Sequence, residues 1–306
     1  MTVFVLRRLV HGALVMLAVT LTVFFVTRLL TDPVQVMTPI GASPADKAAL
    51  TEKLGLSHSL WSQLGTFFSQ LVHGDFGRSY WQDAPALSLV GQRIPKTLEL
   101  VGAGLLIALV GFIPLGVFAS LRPGRLLDNV ISAFCLTGVS IAPFWLGTML
   151  ILGFSEHLGW FPSAGSGGLR YLVLPAVTLA LPMGGRIALI TRVTMVEQWS
   201  QSYVVALRAR GYGSARIIMA HLLRNVMVPI LTLASYEAAF ALAGYAVVVE
   251  TVFAWPGFGQ LAIQAVQQRD IVLLQAIVFI AALFVVAANL IADLACRVID
   301  PRTKVA

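Results

Sequence analysis

The chain has 306 residues, of which 58% are hydrophobic and only 11% are charged, and its mean hydropathy is +0.86. A soluble domain carries roughly 45–50% apolar and about 25% charged residues. Too few charges are present to cover a water-facing surface, which argues against a soluble enzyme, a disordered chain and a DNA-binding domain. The net charge of +7 therefore indicates basic loops facing anionic lipid, and no nucleic-acid partner is expected.

Six apolar stretches are long enough to cross a bilayer as helices, which takes about 20 residues each. They predict an all-α integral membrane protein with six transmembrane helices. The predicted spans are 9–30, 98–121, 130–154, 171–195, 226–252 and 271–296. The first apolar run is longer than the roughly 7–15 residues of a signal-peptide core, so we expect it to be retained as a helix. Four prolines inside spans two to four are compatible with kinks that bend the helices around a cavity, and ordinary tolerance of proline in membrane helices is the alternative. They are Pro114, Pro143, Pro175 and Pro182.

The distribution of basic residues predicts the orientation of the chain. With the segment 31–97 set aside as too long to follow the charge rule, twelve Lys and Arg lie on the N-terminal side and three on the other. Both termini are therefore expected in the cytoplasm. The predicted segments are a cytoplasmic N-terminus with the first helix (1–30), an external subdomain (31–97), a five-helix permease core (98–297), a cytoplasmic loop within it (196–225) and a cytoplasmic tail (298–306).

The cytoplasmic loop 196–225 is the most informative segment. Its pattern predicts a helix from Tyr203 to Arg210, a break at Gly211 and Gly213, and a second helix with Ser214 as its N-cap. Basic and apolar residues alternate along it. On spacing alone, a plain amphipathic loop held against lipid headgroups explains this pattern equally well.

Several motifs, taken in order along the chain, resemble one family. The loop contains Tyr203-Val204, Ala209-Arg210-Gly211 and His221-Leu222-Leu223-Arg224-Asn225. These resemble the cytoplasmic "EAA" loop of bacterial ABC importer permeases, in the B-type subunit of the peptide and nickel branch. Segments 74–79, 93–100, 249–259, 269–270 and 300–302 resemble other parts of the same subunits. The resemblance runs from about residue 5 to 302 and implies the type I ABC importer permease fold.

The resemblance implies a coupling site on the cytoplasmic loop, where a short stiff helix docks on an ATPase and transmits its closure. The residues that match it are Tyr203, Ala206, Leu207, Arg208, Ala209, Arg210 and Gly211. In this interpretation the two alanines permit close packing, Leu207 is buried, the two arginines pair with acidic groups and Gly211 permits the turn.

The resemblance also implies the partners: a homologous second permease in a heterodimer, two cytoplasmic ATPase subunits, an extracytoplasmic solute-binding protein and the surrounding membrane lipid. The chain shows no phosphate-binding glycine-rich loop, so ATP and Mg are expected on the ATPase subunits and no cofactor on this chain. No catalytic or metal-binding arrangement is predicted, and the chain is not expected to be an enzyme.

The implied function is permease subunit of an ATP-driven importer in the bacterial inner membrane, translocating a peptide or similar small solute. Import of nickel or another metal chelate by the same machinery is an alternative, because both substrate groups share this permease type. An ion-driven secondary carrier is a more remote alternative, which would require buried acidic relays and inverted repeats.

Three charged residues deserve separate consideration as part of a translocation path. Arg186 and Glu237 fall within predicted spans, where a charge costs about 2.5–3.5 kcal/mol on insertion scales and therefore usually faces a wet cavity or the protein interior. Glu250 is predicted beside the external mouth. A lining of the translocation path and a structural ion pair are equally compatible with the sequence at Arg186 and Glu237, and interface polarity remains an alternative at Glu250.

Overall fold

The structure, a computed structural model, describes residues 2–26, 43–45 and 59–299. In this part of the chain the secondary structure is helical, apart from an isolated bridge between Arg78 and Pro85. The end of the first predicted span (27–30), much of the predicted external subdomain (31–42 and 46–58) and most of the predicted tail (300–306) lie outside the described residues.

Helices dominate the described chain, and four π-helical segments interrupt or extend them within it. The helices are α1 Thr2–Phe25, α2 Leu60–Val72, α3 Ala86–Ile107, α4 Ile113–Ser120, α5 Leu126–Ser140, α6 Pro143–Leu150, α7 Leu169–Trp199, α8 Ser202–Ala209, α9 Ser214–Ile217, α10 Leu223–Phe240, α11 Ala246–Val252, α12 Phe258–Gln267 and α13 Ile271–Ile299. The π-helical segments are Ala108–Phe112, Ile151–His157, Ile218–Leu222 and Ala241–Tyr245.

Five continuous helical stretches of the described chain are long and apolar enough to cross a membrane. They are Leu6–Phe25, Ala86–Ser120, Leu169–Trp199, Ser214–Val252 and Ile271–Ile291. They contain or overlap the predicted spans one, two, four, five and six, and each keeps the number of its predicted span as a candidate span below. The second and fifth begin about twelve residues before the predicted spans, because a helix continues through polar residues that a hydropathy pattern excludes.

The third predicted span, 130–154, is not one continuous helix. Helices α5 and α6 meet at 105°, so together they form a bent pair that counts as a sixth span only if both halves belong to one crossing. Ile141 and Ala142 are extended, with ψ of 130° and 132°. Pro143 disfavours the α conformation in the residue before it, which explains the break. Pro175 and Pro182 do not break their helix: α7 continues through both of them.

The described chain divides into two compact units, of which the first comprises Met1–Lys96 and Gly257–Val286. Its core packs the start of α3 against α12 and α13 through Val90, Leu261 and Leu273. Asp270 begins α13: its Oδ1 accepts the backbone N–H of Leu273 at 3.0 Å. Its Oδ2 accepts the Ser79 hydroxyl at 2.5 Å, so this buried carboxylate ties the segment after α2 to the last helix.

The second unit comprises Thr97–Pro256 and Ala287–Ala306 and is organised around α7, the most buried of the candidate spans. Glycines permit the close approach of its neighbours. A Cβ at Gly116 would lie 2.5 Å from the carbonyl oxygen of Ala188, and one at Gly184 would lie 2.3 Å from the Phe112 ring. Helices α4, α5 and α10 therefore pack directly on α7.

Candidate functional site

The short helix α8 stands between the two spans that flank the cytoplasmic loop. It covers Ser202–Ala209, one residue earlier at each end than predicted. Gly211 has φ of +81°, its N–H donates to the Arg208 carbonyl at 2.9 Å, and the Tyr212 N–H donates to the Leu207 carbonyl at 3.2 Å. This pair of bonds is a Schellman ending, which requires a left-handed residue and favours glycine. Gly211 therefore sets the turn, as predicted.

The second helix of the loop begins differently from the prediction. Gly213 is the N-cap and Ser214 is the first residue of α9, with no side-chain cap. Through a π-helical segment, Ile218–Leu222, α9 continues into α10. The loop is therefore mechanically continuous with the fifth candidate span.

Helix α8 has one face toward its own chain and one toward solvent. Val204 is fully buried, and Tyr203 and Leu207 are half-buried. Ala206 and Ala209 are exposed, as is Val205, whose exposed fraction is 64%. The sequence analysis did not include Val205 among the coupling residues. The signal that could have indicated it is an apolar residue next to Ala206 on so short a helix. The exposed face is small and apolar, which suits docking against another protein.

A three-residue polar network, which we call the loop network, holds α8 to the spans on either side. The Tyr203 hydroxyl donates to Gln198 Oε1 at 2.7 Å. The Asn225 side-chain amide donates to Gln198 Oε1 at 3.3 Å and to the Tyr203 hydroxyl at 3.2 Å. Gln198 lies in the last turn of α7 and Asn225 in the first turn of α10, so α8 is connected to both.

The predicted basic residues of the loop are both accessible. The Arg208 guanidinium lies 4.9 Å from the centre of the Trp199 ring, at which distance a cation–π attraction operates. Arg208 and Trp199 also line an open groove of about 410 Å³ together with Ser120, Pro123 and Ser214. Arg210 is the exposed C-cap of α8.

The two predicted intramembrane charges form a pair. Arg186 of α7 donates through Nε to Glu237 Oε1 at 2.5 Å and through Nη2 to Oε2 at 2.6 Å. The Glu237 side chain is 1% exposed, whereas that of Arg186 is 27% exposed. The carboxylate is thus enclosed within the chain, while part of the guanidinium remains accessible.

Glu250, predicted at the external mouth, is fully buried near the end of α11. Its Oε1 accepts the Thr97 hydroxyl at 2.6 Å, and Thr97 is itself buried. The structure therefore places Glu250 inside the second unit and does not bring it to the Arg186–Glu237 pair.

A second buried pair was missed by sequence reasoning. Arg192 of α7 donates through Nε and Nη2 to the carboxylate of Asp128, whose side chain is 1% exposed. The available signal was Asp128 in the first turn of α5, where a negative charge interacts favourably with the helix dipole. Among the described residues, no group of three or more His, Cys, Asp or Glu could hold a metal ion.

The comparison with known families decides the identity of this arrangement. Residues 112–305 match the family described as "Binding-protein-dependent transport system inner membrane component". The chain belongs to this family. The match covers the bent pair, the loop with α8 and both charged pairs, and it confirms the predicted resemblance to ABC importer permeases.

Two relatives match over nearly the whole chain. The oligopeptide transport system permease protein AppB of Bacillus subtilis (strain 168) is 33% identical, with 99% of this chain and 100% of AppB covered. The dipeptide transport system permease protein DppB of Escherichia coli (strain K12) is 32% identical, with 98% of each chain covered. The chain is therefore a permease component of an ABC importer and, like its family, a multi-pass inner-membrane protein.

The fold is shared with a solved transporter. The chain is 20% identical to a chain of the MetNI methionine ABC transporter in an inward-facing conformation, with a TM-score of 0.59, covering 69% of this chain and 96% of that chain. This likeness confirms the predicted all-α type I importer permease fold.

Proposed function

We propose that this permease imports peptides as one half of a heterodimer with a homologous second permease. An extracytoplasmic binding protein delivers the peptide and two separate cytoplasmic ATPases supply the energy, so ATP and Mg are held by those partners. The peptide substrate is supported by the names of AppB and DppB. The relatives give no specific support to nickel, and the family assignment favours the importer over an ion-driven carrier.

The observation that carries the coupling role is the exposed apolar face of α8, connected to α7 and α10 by the loop network. A helix is stiff because its backbone hydrogen bonds are internal. A force applied by an ATPase to Val205 and Ala206 therefore reaches both spans. We assign docking to Ala206, Ala209 and the exposed arginines Arg208 and Arg210, anchoring to Tyr203 and Leu207, and the turn to Gly211.

The same proposal extends to the rest of the chain. Both termini and the loop 196–225 lie in the cytoplasm, and the core 98–297 alternates between outward- and inward-facing states. The binding protein docks on the segments 31–97, 155–170 and 254–270. Arg186 and Glu237 belong to the translocation path, and Glu250 holds the outer end of the fifth span through its bond with Thr97.

Co-purification of the ATPase subunits with the permease in detergent tests the coupling assignment. The native chain, Ala206→Glu and the control Ala220→Glu, which replaces another exposed alanine, are purified with tags on the permease. We expect the native chain and the control to retain the ATPases, and Ala206→Glu to lose them because a carboxylate would be buried in the docking face. Membrane insertion is checked for each.

Uptake by the reconstituted complex tests the substrate. Radiolabelled di- and oligopeptides should enter proteoliposomes only with ATP and binding protein present. Retention of the ATPases by Ala206→Glu would contradict the assignment of α8, and uptake of a nickel chelate without any peptide uptake would contradict the peptide assignment.

A further inference from the structure

An aromatic strip follows the fifth candidate span beside the Arg186–Glu237 pair. It consists of Tyr236, Phe240 and Tyr245. The rings of Tyr236 and Phe240 are stacked with centroids 6.0 Å apart, and Phe240 meets Tyr245 edge-on at 4.8 Å. Tyr236 is 59% exposed and Phe240 is 44% exposed.

The π-helical segment Ala241–Tyr245 explains why these rings share a face. In an α-helix residues four apart are neighbours, whereas residues five apart lie about 140° apart around the axis. The wider turn of a π-helix brings residues five apart together. Tyr236 and Phe240 are thus aligned by α geometry, and Phe240 and Tyr245 by π geometry. Such π segments occur frequently at functional sites.

The strip and the carboxylate of the charged pair share one helical stretch, because Tyr236 directly precedes Glu237 in the chain. Tyr245, farther along the same stretch, lies within electrostatic range of the Arg186 guanidinium. The pair with Glu237 uses Nε and Nη2, on one side of the guanidinium, and leaves its Nη1 end outside the pair. A guanidinium offers five N–H donors in a planar fork, so it can bind a second carboxylate end-on.

The free-energy cost of placing charged and polar groups in hydrocarbon indicates that this surface faces water rather than lipid. A charged group and phenol hydroxyls in the middle of a span are expensive in hydrocarbon and characteristically line a cavity or pathway. Glu237 is enclosed and neutralises the charge of Arg186. The remaining attraction of Arg186 for a second anion is therefore moderate. A moderate attraction suits a transporter, because its substrate has to leave.

We propose that Arg186, Tyr245 and the aromatic strip form a subsite for the C-terminal residue of a peptide, in which Arg186 binds the free α-carboxylate and Tyr236 and Phe240 contact the terminal side chain. The subsite rests on the proposed peptide import. The proposal is specific to a peptide C-terminus because the arrangement combines a carboxylate-binding guanidinium with an aromatic surface that begins at Tyr236, next to Glu237 in the chain.

Uptake of the dipeptide Ala-Phe and of its C-terminal amide tests the subsite in the full complex in proteoliposomes. The native complex should transport Ala-Phe faster than the amide. Arg186→Gln should lower the ratio of Ala-Phe uptake to amide uptake by about tenfold, the worth of one charge-assisted hydrogen bond. Arg186→Lys, which keeps the charge and loses the fork, should give an intermediate rate.

A second variant covers the risk that Arg186→Gln leaves Glu237 as an unpaired buried charge. The double variant Arg186→Gln with Glu237→Gln removes both charges and keeps two hydrogen-bonding amides. It should insert and retain the ATPases, and it should transport the two substrates at equal rates.

Photo-crosslinking in the native complex needs no variant. Ala followed by benzoylphenylalanine should crosslink within 232–245, whereas benzoylphenylalanine followed by Ala should not. Equal transport of acid and amide by the native complex, or crosslinking from the N-terminal position alone, would overturn the subsite and leave peptide import standing. Failure to transport any peptide would overturn both proposals.

Discussion

Asp128 accepts both arms of the Arg192 guanidinium and, through Oδ2, the backbone N–H of Gly124 at 2.7 Å. One buried carboxylate thereby holds the turn before α5, the first turn of α5 itself and the last third of α7. Because this carboxylate also accepts the Gly124 N–H, the pair joins α7 to the turn before α5, and we expect its main role to be structural.

Replacing Asp128 by Asn should destabilise the second unit by about 3 kcal/mol, since breaking a buried pair leaves Arg192 without its counter-charge. The measurement is denaturant unfolding of the purified chain in detergent. Asp83→Asn is the control, because Asp83 forms an exposed ion pair with Arg78 and its loss should change little. Equal unfolding midpoints for the two variants would refute the structural role of Asp128.

Gly211→Ala should loosen the end of α8. A side chain in the left-handed region costs about 1–2 kcal/mol, and no atom lies within 4 Å of the added Cβ, so strain alone is tested. Hydrogen exchange of residues 207–212 should become at least about fivefold faster. Gly213→Ala is the matched control, because Gly213 has φ of −68° and equally open surroundings. Indistinguishable exchange in the two variants would contradict a Schellman ending.

Gly116→Ala should disturb the packing of α4 on α7. The new Cβ would lie 2.5 Å from a backbone oxygen, which cannot rotate away, and overpacking of this kind costs about 1–3 kcal/mol. Thermal unfolding in detergent measures the loss. Gly111→Ala provides the comparison, because nothing lies within 4 Å of its added Cβ, and it should retain native stability. A native melting temperature for Gly116→Ala would show that the helices do not approach so closely.

Ser79→Ala should weaken the start of α13 in the first unit. The change removes the hydroxyl that donates to buried Asp270, at a cost of about 1–3 kcal/mol. Cysteine accessibility of a residue introduced at the buried position 86, whose N–H bonds to Gly77 of this segment, reports its opening. Ser69→Ala, at an exposed position of α2, should leave that accessibility unchanged. If both variants behaved alike, the Ser79–Asp270 bond would not be what holds the segment.

Sequence reasoning identified the elements whose signal is local. The five continuous spans follow from uninterrupted apolar length, and the loop with α8 follows from the glycines at 211 and 213. The bend at Pro143 was predicted only as a kink, because Pro175 and Pro182 carry the same local signal and lie in an unbroken helix. Whether neighbouring helices re-satisfy the freed carbonyls decides between the two outcomes, and this is a tertiary property.

The charged residues illustrate the same limit. Arg186 and Glu237 were singled out because each is costly in a span, but their pairing depends on the register between α7 and α10. Asp128 was missed because its position lies just before the predicted start of span three. The π-helical segments, which align Phe240 with Tyr245, have no compositional signature.

The bent pair α5–α6 also determines whether the number of membrane crossings is even or odd. A polypeptide ends on the side of a membrane where it began only after an even number of crossings, and the continuous candidate spans of the described chain are five. Under the proposed placement of both termini in the cytoplasm, the bent pair supplies the sixth crossing among the described residues. With that crossing, α8 shares a side with the N-terminus and residues 158–168 emerge on the opposite side. The two extended residues 141–142 thus lie within the bent pair, and whether that pair crosses the membrane decides on which side every later loop emerges.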